Sequence, residues 1–320
     1  MDHQPGVAGT RPRGTPEHLL TLDDLGPGGL RAILDLTAAL KREPDAFRGR
    51  LAGGRLGMIF HKPSTRTRMS FEAAAWHLGM LPIALRPDEL QLGHGESIAD
   101  TARALSLYVD ALAVRTFAQA TVEALADAAS IPIINALTDD HHPCQALADA
   151  MTIEESLGGL VGVTVAFVGD GDNVCHSLMQ AAALGGFDLR VATPMGYEPD
   201  LSILAETRAI ALHTGGHVDL LHDPREAVRG AHVVYADVWT SMGREAERDI
   251  RRVAFAGYTI TEDLMADAGP EAIFLHCLPA HRGEEVTDAV IDGPRSRVWA
   301  QAANRMYTEE ALLLAMLGAA

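Results

Sequence analysis

Lys62-Pro63-Ser64-Thr65-Arg66-Thr67-Arg68 gathers three hydroxyls, two guanidinium groups and one ammonium within seven residues. Those are the groups that hold a tetrahedral anion. The stretch lies between an apolar run at residues 56–60 and an apolar-periodic segment reaching His77, a pattern that predicts strand, tight turn and helix start. The first N–H groups of a helix lack intrahelical partners and its amino-terminal end carries a partial positive charge, so a phosphate is the natural guest. Ser64 is predicted as the N-cap, with Thr65, Arg66 and Thr67 in the first turn around the anion. Arg68 has two readings, a further anion contact or an i,i+4 partner for Glu72 on a helix that needs no ligand.

Further chemistry-bearing residues recur at the expected ends of strands, where open α/β sheets bind their ligands. They are Arg115, His142 with Gln145, Asn173, Asp237 with Ser241-Met242-Gly243, and His276-Cys277-Leu278-Pro279. Singly, each has an ordinary structural explanation: Arg115 a surface cation, His142 or Asn173 a helix cap, Asp237 a turn residue, Cys277 a small buried side chain. Coincidence at so many strand ends is a poor explanation of the set.

The elements that must position these residues follow from periodicity. Residues 1–16 are rich in Pro, Gly, Arg and Thr and read as a mobile arm. Leu30, Ile33, Leu34, Leu36, Thr37 and Leu40 form a helical stripe, and a glycine-rich turn at 49–54 leads into the strand before the anion loop. Strands are expected at 81–85, 111–114 and 131–135, and helices at 97–109 and 121–129. A helix at 146–156 then links this first α/β domain (17–148) to a second (149–301). There, a strand at 163–168 ends in Gly169-Asp170-Gly171-Asp172-Asn173 and a helix reaches Leu184. Val174 stands where a dinucleotide fingerprint needs its third glycine, so this turn is assigned to a small ligand. Strands at 189–193, 218–221, 233–236 and 273–275 and a closing helix at 309–317 complete the pattern. The fold class is α/β, with two domains built on mainly parallel central sheets.

Composition bounds the function. A chain of 320 residues, 48% hydrophobic and 22% charged, can bury two cores. No apolar run approaches the roughly 18 residues that span a membrane, and the amino terminus lacks the order of a signal peptide, so the cytoplasm is the expected compartment. The net charge of −17 repels nucleic acid and anionic membranes, and a small anion would need a local patch of arginines such as Arg66 and Arg68 supply. Cys144, Cys175 and Cys277 are the only cysteines, without short metal-type spacing, and reduced thiols are expected.

Four motifs carry a resemblance: S-T-R-T-R-x-S-F-E at 64–72, H-P-C-Q-A-L-A-D at 142–149, D-V-W-x-S-M-G at 237–243 and H-C-L-P-A-H-R-G-E-E-V at 276–286. Together they closely resemble the ornithine carbamoyltransferases over nearly the whole chain after the arm. The first two motifs are shared with aspartate carbamoyltransferases, whereas the S-M-G and H-C-L-P segments point to ornithine. The resemblance implies a carbamoyl-phosphate domain followed by an amino-acid domain, with the active site in the cleft between them. It also implies a last helix, about 302–320, that packs back on the first domain, and a homotrimer or an assembly of trimers. Ser64, Thr65, Arg66 and Thr67 would hold the phosphate. Arg115, His142, Gln145 and Arg305 would hold the carbamoyl group, and Cys277 and Leu278 would lie between the two ligands. Asn173, Asp237, Ser241 and Met242 would bind ornithine, and Gln91 would reach a neighbouring subunit's phosphate site. The chain departs from the family pattern at His61, Asp172, Ala303 and Tyr307, which bears on amine preference.

Carbamoyl transfer needs a neutral amine, stabilisation of charge on the carbonyl oxygen and departure of phosphate. Arg115 and His142 would act on the oxyanion, and Asp237 and Cys277 would orient the amine and accept its proton. No cofactor or metal is required, although His141, His142 and Cys144 could imitate a zinc cluster. The alternatives are a carbamoyltransferase for another amine, such as putrescine or a modified ornithine, and a non-catalytic carbamoyl-phosphate-binding paralogue. The first would change the S-M-G and H-C-L-P segments, and the second would tolerate loss of Arg115, His142, Asp237 or Cys277. All are present.

Overall fold

The structure is a computed structural model that describes residues 15–86, 90 and 95–320. The expected arm, apart from Thr15 and Pro16, lies outside the described residues, as does Gln91. The chain divides into two compact α/β units. One contains the residues up to Leu147 together with Arg305–Ala320, and the other is Ala148–Asn304.

The first unit runs α1 (Gly26–Arg42), β1 (Arg55–Phe60), α2 (Arg66–His77), β2 (Leu81–Leu85), α3 (Ile98–Ser106), β3 (Ala111–Arg115), α4 (Gln119–Ala128), β4 (Ile133–Leu137) and the first turn of α5 (Pro143–Leu157). Its four strands are parallel in the order β2-β1-β3-β4. β3 is buried along its whole length, so it reads as a continuous apolar run rather than an alternation. Ile59, Leu112, Val114, Val122, Leu125 and Ile133 form a core beneath α3 and α4. From β1 the chain goes out to β2 and returns to β3 on the other side. The carboxyl ends of β1 and β3 are therefore the switch point at which such sheets bind ligands.

The second unit continues through α5 to β5 (Thr164–Val168), α6 (Asn173–Gly185), β6 (Asp188–Ala192), α7 (Leu201–Thr214), β7 (Val218–Leu221), α8 (Pro224–Val228) and β8 (Val233–Ala236). After these come α9 (Arg248–Ala254), α10 (Glu262–Ala266), β9 (Ile273–His276), α11 (Asp288–Ile291) and α12 (Val298–Met316), whose later residues belong to the first unit. The parallel order is β7-β6-β5-β8-β9, with its switch point between β5 and β8. Beneath the loop after β8, Trp239 stacks on Phe255 at 5.7 Å and Tyr197 meets Phe255 edge-on at 4.9 Å.

Several expectations are corrected. α2 begins at Arg66, so Thr65 rather than Ser64 stands at the cap position, its backbone already helical and its side chain making no capping bond. The helix expected at 97–109 ends at Ser106, with Ser97 as its cap accepting from the Asp100 N–H at 3.1 Å. β4 starts at Ile133 because Pro132 has no N–H to give a ladder. The closing helix starts at Val298, well before 309. Helices α7 to α11 were not foreseen. α7 buries only Leu204, Thr207 and Ala211 while exposing Leu201 and Leu212, so its apolar residues mark no single face. The others are too short for a periodicity to register.

Candidate active site

In the first unit, the chain leaving β1 turns through His61 to Thr65 and enters α2. The His61 N–H donates to the Arg115 carbonyl at 2.8 Å, which ties this turn to the end of β3. Lys62 is buried, paired with Asp139 and seated 4.7 Å from the Phe117 ring centre, so it braces the turn. Arg115 ends β3 where the register with β4 shifts, and it is buried rather than a surface cation. Such irregularities re-aim a side chain at the rim of a sheet. His142 immediately precedes α5, and its carbonyl accepts the Gln145 N–H at 3.0 Å.

Arg305 gathers the group. Its Nη1 donates to Gln145 Oε1 at 2.8 Å, and its Nη2 donates to Thr67 Oγ1 at 3.0 Å and to Glu309 Oε1 at 3.1 Å. The guanidinium is buried, and its Nε has no hydrogen-bond partner among the described residues. Burial and then the positive charges of Arg305, Arg115 and Arg66 hold the His142 imidazole well below its ordinary value, so it is neutral at pH 7. A neutral imidazole among three arginines donates one hydrogen bond without adding a charge of its own. The structure thus brings together Arg66, Thr67, Arg115, His142, Gln145 and Arg305, with Ser64 and Thr65 on the adjoining turn. Arg68 pairs with Glu72 at 2.8 Å, the second of its two readings. Cys144 is fully buried and donates to the Asn135 carbonyl at 3.5 Å, and burial raises its thiol far above the ordinary range, which makes it inert.

In the second unit, Asp237 follows β8 and Cys277 follows β9. The Cys277 thiol donates to Asp237 Oδ1 at 2.8 Å, and the Val238 N–H reaches the same oxygen at 2.7 Å. Burial first, and then the charge of Asp172, raises the Asp237 carboxyl well above its usual range. Burial and the Asp237 charge raise the Cys277 thiol, which therefore keeps its proton. The Ser241 hydroxyl donates to Asp172 Oδ2 at 2.6 Å. Met242 is exposed, and Asn173 opens α6 with Asp172 at the cap position before it. Gly171 is dictated by packing as well as by any ligand: a Cβ there would lie 2.2 Å from the Pro199 nitrogen.

Sequence reasoning assigned no role to the support beneath Cys277. Leu278 is the one described non-glycine residue with positive φ, at 59°, and its N–H donates to His276 Nδ1 at 2.9 Å. With Nδ1 accepting, Nε2 carries the proton and donates to Glu285 Oε1 at 3.1 Å. The Gln301 side chain accepts the His276 N–H at 2.9 Å and donates to Asp149 at 2.6 Å, and Tyr235 donates to the other Asp149 oxygen at 3.1 Å. The second glutamate of the H-R-G-E-E-V segment was in view as Glu285. Glu309 was hidden in an amphipathic closing helix, and only its pairing with Arg305 marks it.

A parallel α/β unit with arginines gathered about a buried histidine, and a second bearing a buried carboxyl–thiol pair, are the parts that a group-transfer enzyme working on an anionic donor and an amine needs. Comparison with known proteins gives the family. Residues 17–155 match the model of the aspartate/ornithine carbamoyltransferase carbamoyl-P binding domain, and residues 161–316 match that of the Asp/Orn binding domain. The chain belongs to the aspartate/ornithine carbamoyltransferase family. It is 52% identical over 300 residues to the ornithine carbamoyltransferase of Gloeobacter violaceus, covering 94% of this chain and 95% of that one. The solved ornithine carbamoyltransferase of Pyrococcus furiosus superposes with a TM-score of 0.91 at 49% identity, covering 95% of this chain and 98% of the other. The anabolic enzyme of Campylobacter jejuni gives 0.89 at 37% identity, covering 94% and 98%.

Proposed function

We propose that the protein transfers the carbamoyl group of carbamoyl phosphate to the side-chain amine of L-ornithine, giving L-citrulline and phosphate. The observation that carries this reading is the neutral, buried His142 ringed by Arg66, Arg115 and Arg305. Ser64, Thr65, Arg66 and Thr67 hold the phosphate, Arg115, His142, Gln145 and Arg305 hold the carbamoyl group, and Arg115 and His142 donate to its oxygen. As the amine nitrogen bonds to the carbonyl carbon, negative charge grows on that oxygen. Donors already aimed at it lower the barrier without reorganising, and loss of one costs about 10² to 10³ in rate. The bond between the carbonyl carbon and the phosphate oxygen then breaks, and the arginines keep the departing phosphate.

An alkylamine with a pKa of about 10.4 is almost wholly protonated at pH 7 and must lose a proton to react. Asp237 takes it. Its raised affinity for protons makes it a better base than an ordinary carboxylate, and the Cys277 thiol, which stays protonated, fixes its orientation. Asn173, Ser241 and Met242 hold the rest of the amino acid. The resemblance supports a trimer or an assembly of trimers, with Gln91 serving a neighbouring copy's phosphate site, and a cytoplasmic location agrees with three free cysteines.

An amine panel tests the reading. Carbamoyl phosphate is offered with ornithine, putrescine, aspartate and N-acetylornithine, and phosphate and the carbamoylated product are both scored. Citrulline formed in preference to the other products is expected. Preference for another amine, or no product at all, would replace this function with one of its alternatives.

A further inference from the structure

Asp172 occupies the N-cap position of α6 at the switch point between β5 and β8, yet its side chain does not cap the helix. An aspartate at such a position ordinarily accepts an N–H from the first turn. Here Oδ2 turns away to accept the Ser241 hydroxyl at 2.6 Å, and Oδ1 is buried without a hydrogen-bond partner among the described residues. Asp172 forms no ion pair among the described residues. The arginines beside it are committed to Asp170: Arg251 pairs with Asp170 and Glu247 and donates to the Trp239 carbonyl, and Arg244 lies 3.6 Å from Asp170. A carboxylate with no ion pair of its own and one unsatisfied oxygen is costly to bury. Its position, beside Asn173 and bonded to Ser241, puts it among the residues assigned to the amino acid.

We infer that Asp172 is a binding residue for the α-ammonium group of the amino-acid substrate, an inference that rests on the function proposed above. Ornithine presents two ammonium groups. The side-chain group must become neutral to react, and a carboxylate that favoured its charged form would oppose the reaction. The α-ammonium stays charged throughout and gains from a fixed anion. Asp172 supplies that anion through Oδ1, while Oδ2 holds Ser241 in place for the same ligand.

The groups facing Asp172 set a linked proton balance. Asp170, Asp237 and the Cys175 thiol lie on one side of the balance, and His176, Arg244 and Arg251 on the other. Burial raises Asp172, Asp170 and Asp237, and the Asp172 charge adds to the rise of Asp170, to about 7, and of Asp237. An arriving ammonium favours the ionised forms of these raised carboxyls, so amino-acid binding is expected to release protons.

The test uses the isosteric Asp172→Asn variant and norvaline, which carries the α-ammonium but no side-chain amine. Norvaline is titrated calorimetrically into wild type and variant, each saturated with carbamoyl phosphate, in buffers of different ionisation enthalpy. Expected are norvaline affinity about ten- to a hundredfold weaker in the variant, reduced proton release and unchanged carbamoyl-phosphate affinity, with a melting temperature no lower than wild type's. Equal norvaline affinity and equal proton release in the two proteins would overturn the inference. Wild type that forms no citrulline in the amine panel would overturn the functional reading beneath it, which separates the two failures.

Discussion

Cys277 donates its thiol proton to Asp237 Oδ1, the oxygen that also accepts the Val238 N–H. Both fixed bonds therefore use one carboxylate oxygen and leave Oδ2 for the amine of the proposed reaction. A thiol raised by burial and by the neighbouring carboxylate acts as a donor rather than a nucleophile. Cys277→Ser keeps a donor and should retain activity within about tenfold of wild type, whereas Cys277→Ala, which removes the donor, should cost more. Steady-state kcat for the two variants decides this. A serine variant as impaired as the alanine variant would show that sulfur itself matters.

The pH profile follows from Asp237. Its carboxyl is raised above the usual range, and it must be ionised to accept a proton, so activity falls as pH drops through that raised value. The acidic limb of kcat should lie well above pH 4, and Asp237→Asn should remove the limb and lower kcat by about 10² or more. His142 does not produce this limb at its ordinary value, because the arginines keep it neutral to lower pH. A limb at or below pH 4 in wild type would assign the base elsewhere.

Arg66→Ala should abolish measurable binding of carbamoyl phosphate, or weaken it at least about ten- to a hundredfold, while leaving the fold intact. The motivation is its place in the first turn of α2 and its charge upon His142. Calorimetric titration with circular dichroism checks both halves. Wild-type affinity in a folded variant would remove Arg66 from the anion site.

Much of the architecture could be read from periodicity because parallel strands buried on both faces leave continuous apolar runs. β2, β7 and β8 fall on the expected residues. The candidate site residues could be listed for a related reason, since ligand groups at parallel sheets collect at the carboxyl ends of strands, and Arg115 ends one strand while Asp237 and Cys277 each follow another. What stayed hidden depends on long-range packing. Glu309 lies one helical turn from Arg305, but nothing near either announces that Thr67 shares the guanidinium, and nothing near His276 shows that Gln301 holds its backbone. Asp172 looked like a departure from a pattern, and only its rotation away from the helix toward Ser241 distinguishes a ligand group from a cap.

Glu285 should matter without touching substrate. It fixes the His276 tautomer whose Nδ1 accepts the Leu278 N–H, and Leu278 has a backbone conformation that a non-glycine residue holds only when its surroundings impose it. Glu285→Gln removes the charge at one end of this chain. The expected outcome is a fall of about tenfold in kcat with unchanged carbamoyl-phosphate affinity, measured by steady-state kinetics and titration. Unaltered kcat would make the pair a packing feature only.

Glu309 links Arg305 to stability. It is almost wholly buried, and burial raises its carboxyl to about 7 even though Arg305 opposes the shift. In the unfolded chain the same group titrates near 4.5. The folded value is the higher one, so the folded state binds the proton more tightly. The resulting stabilisation is full below about pH 4.5 and is lost as pH rises through 7, amounting to about 3 kcal/mol between those limits. Glu309→Gln resembles the protonated form at every pH and cannot lose it. Urea unfolding of wild type and variant at pH 5 and pH 8 isolates this contribution, because the other titrating groups are common to both. The stability of the variant relative to wild type should be higher at pH 8 than at pH 5. A difference independent of pH would mean that Arg305 holds Glu309 ionised throughout, and that the pair is an ordinary buried salt bridge.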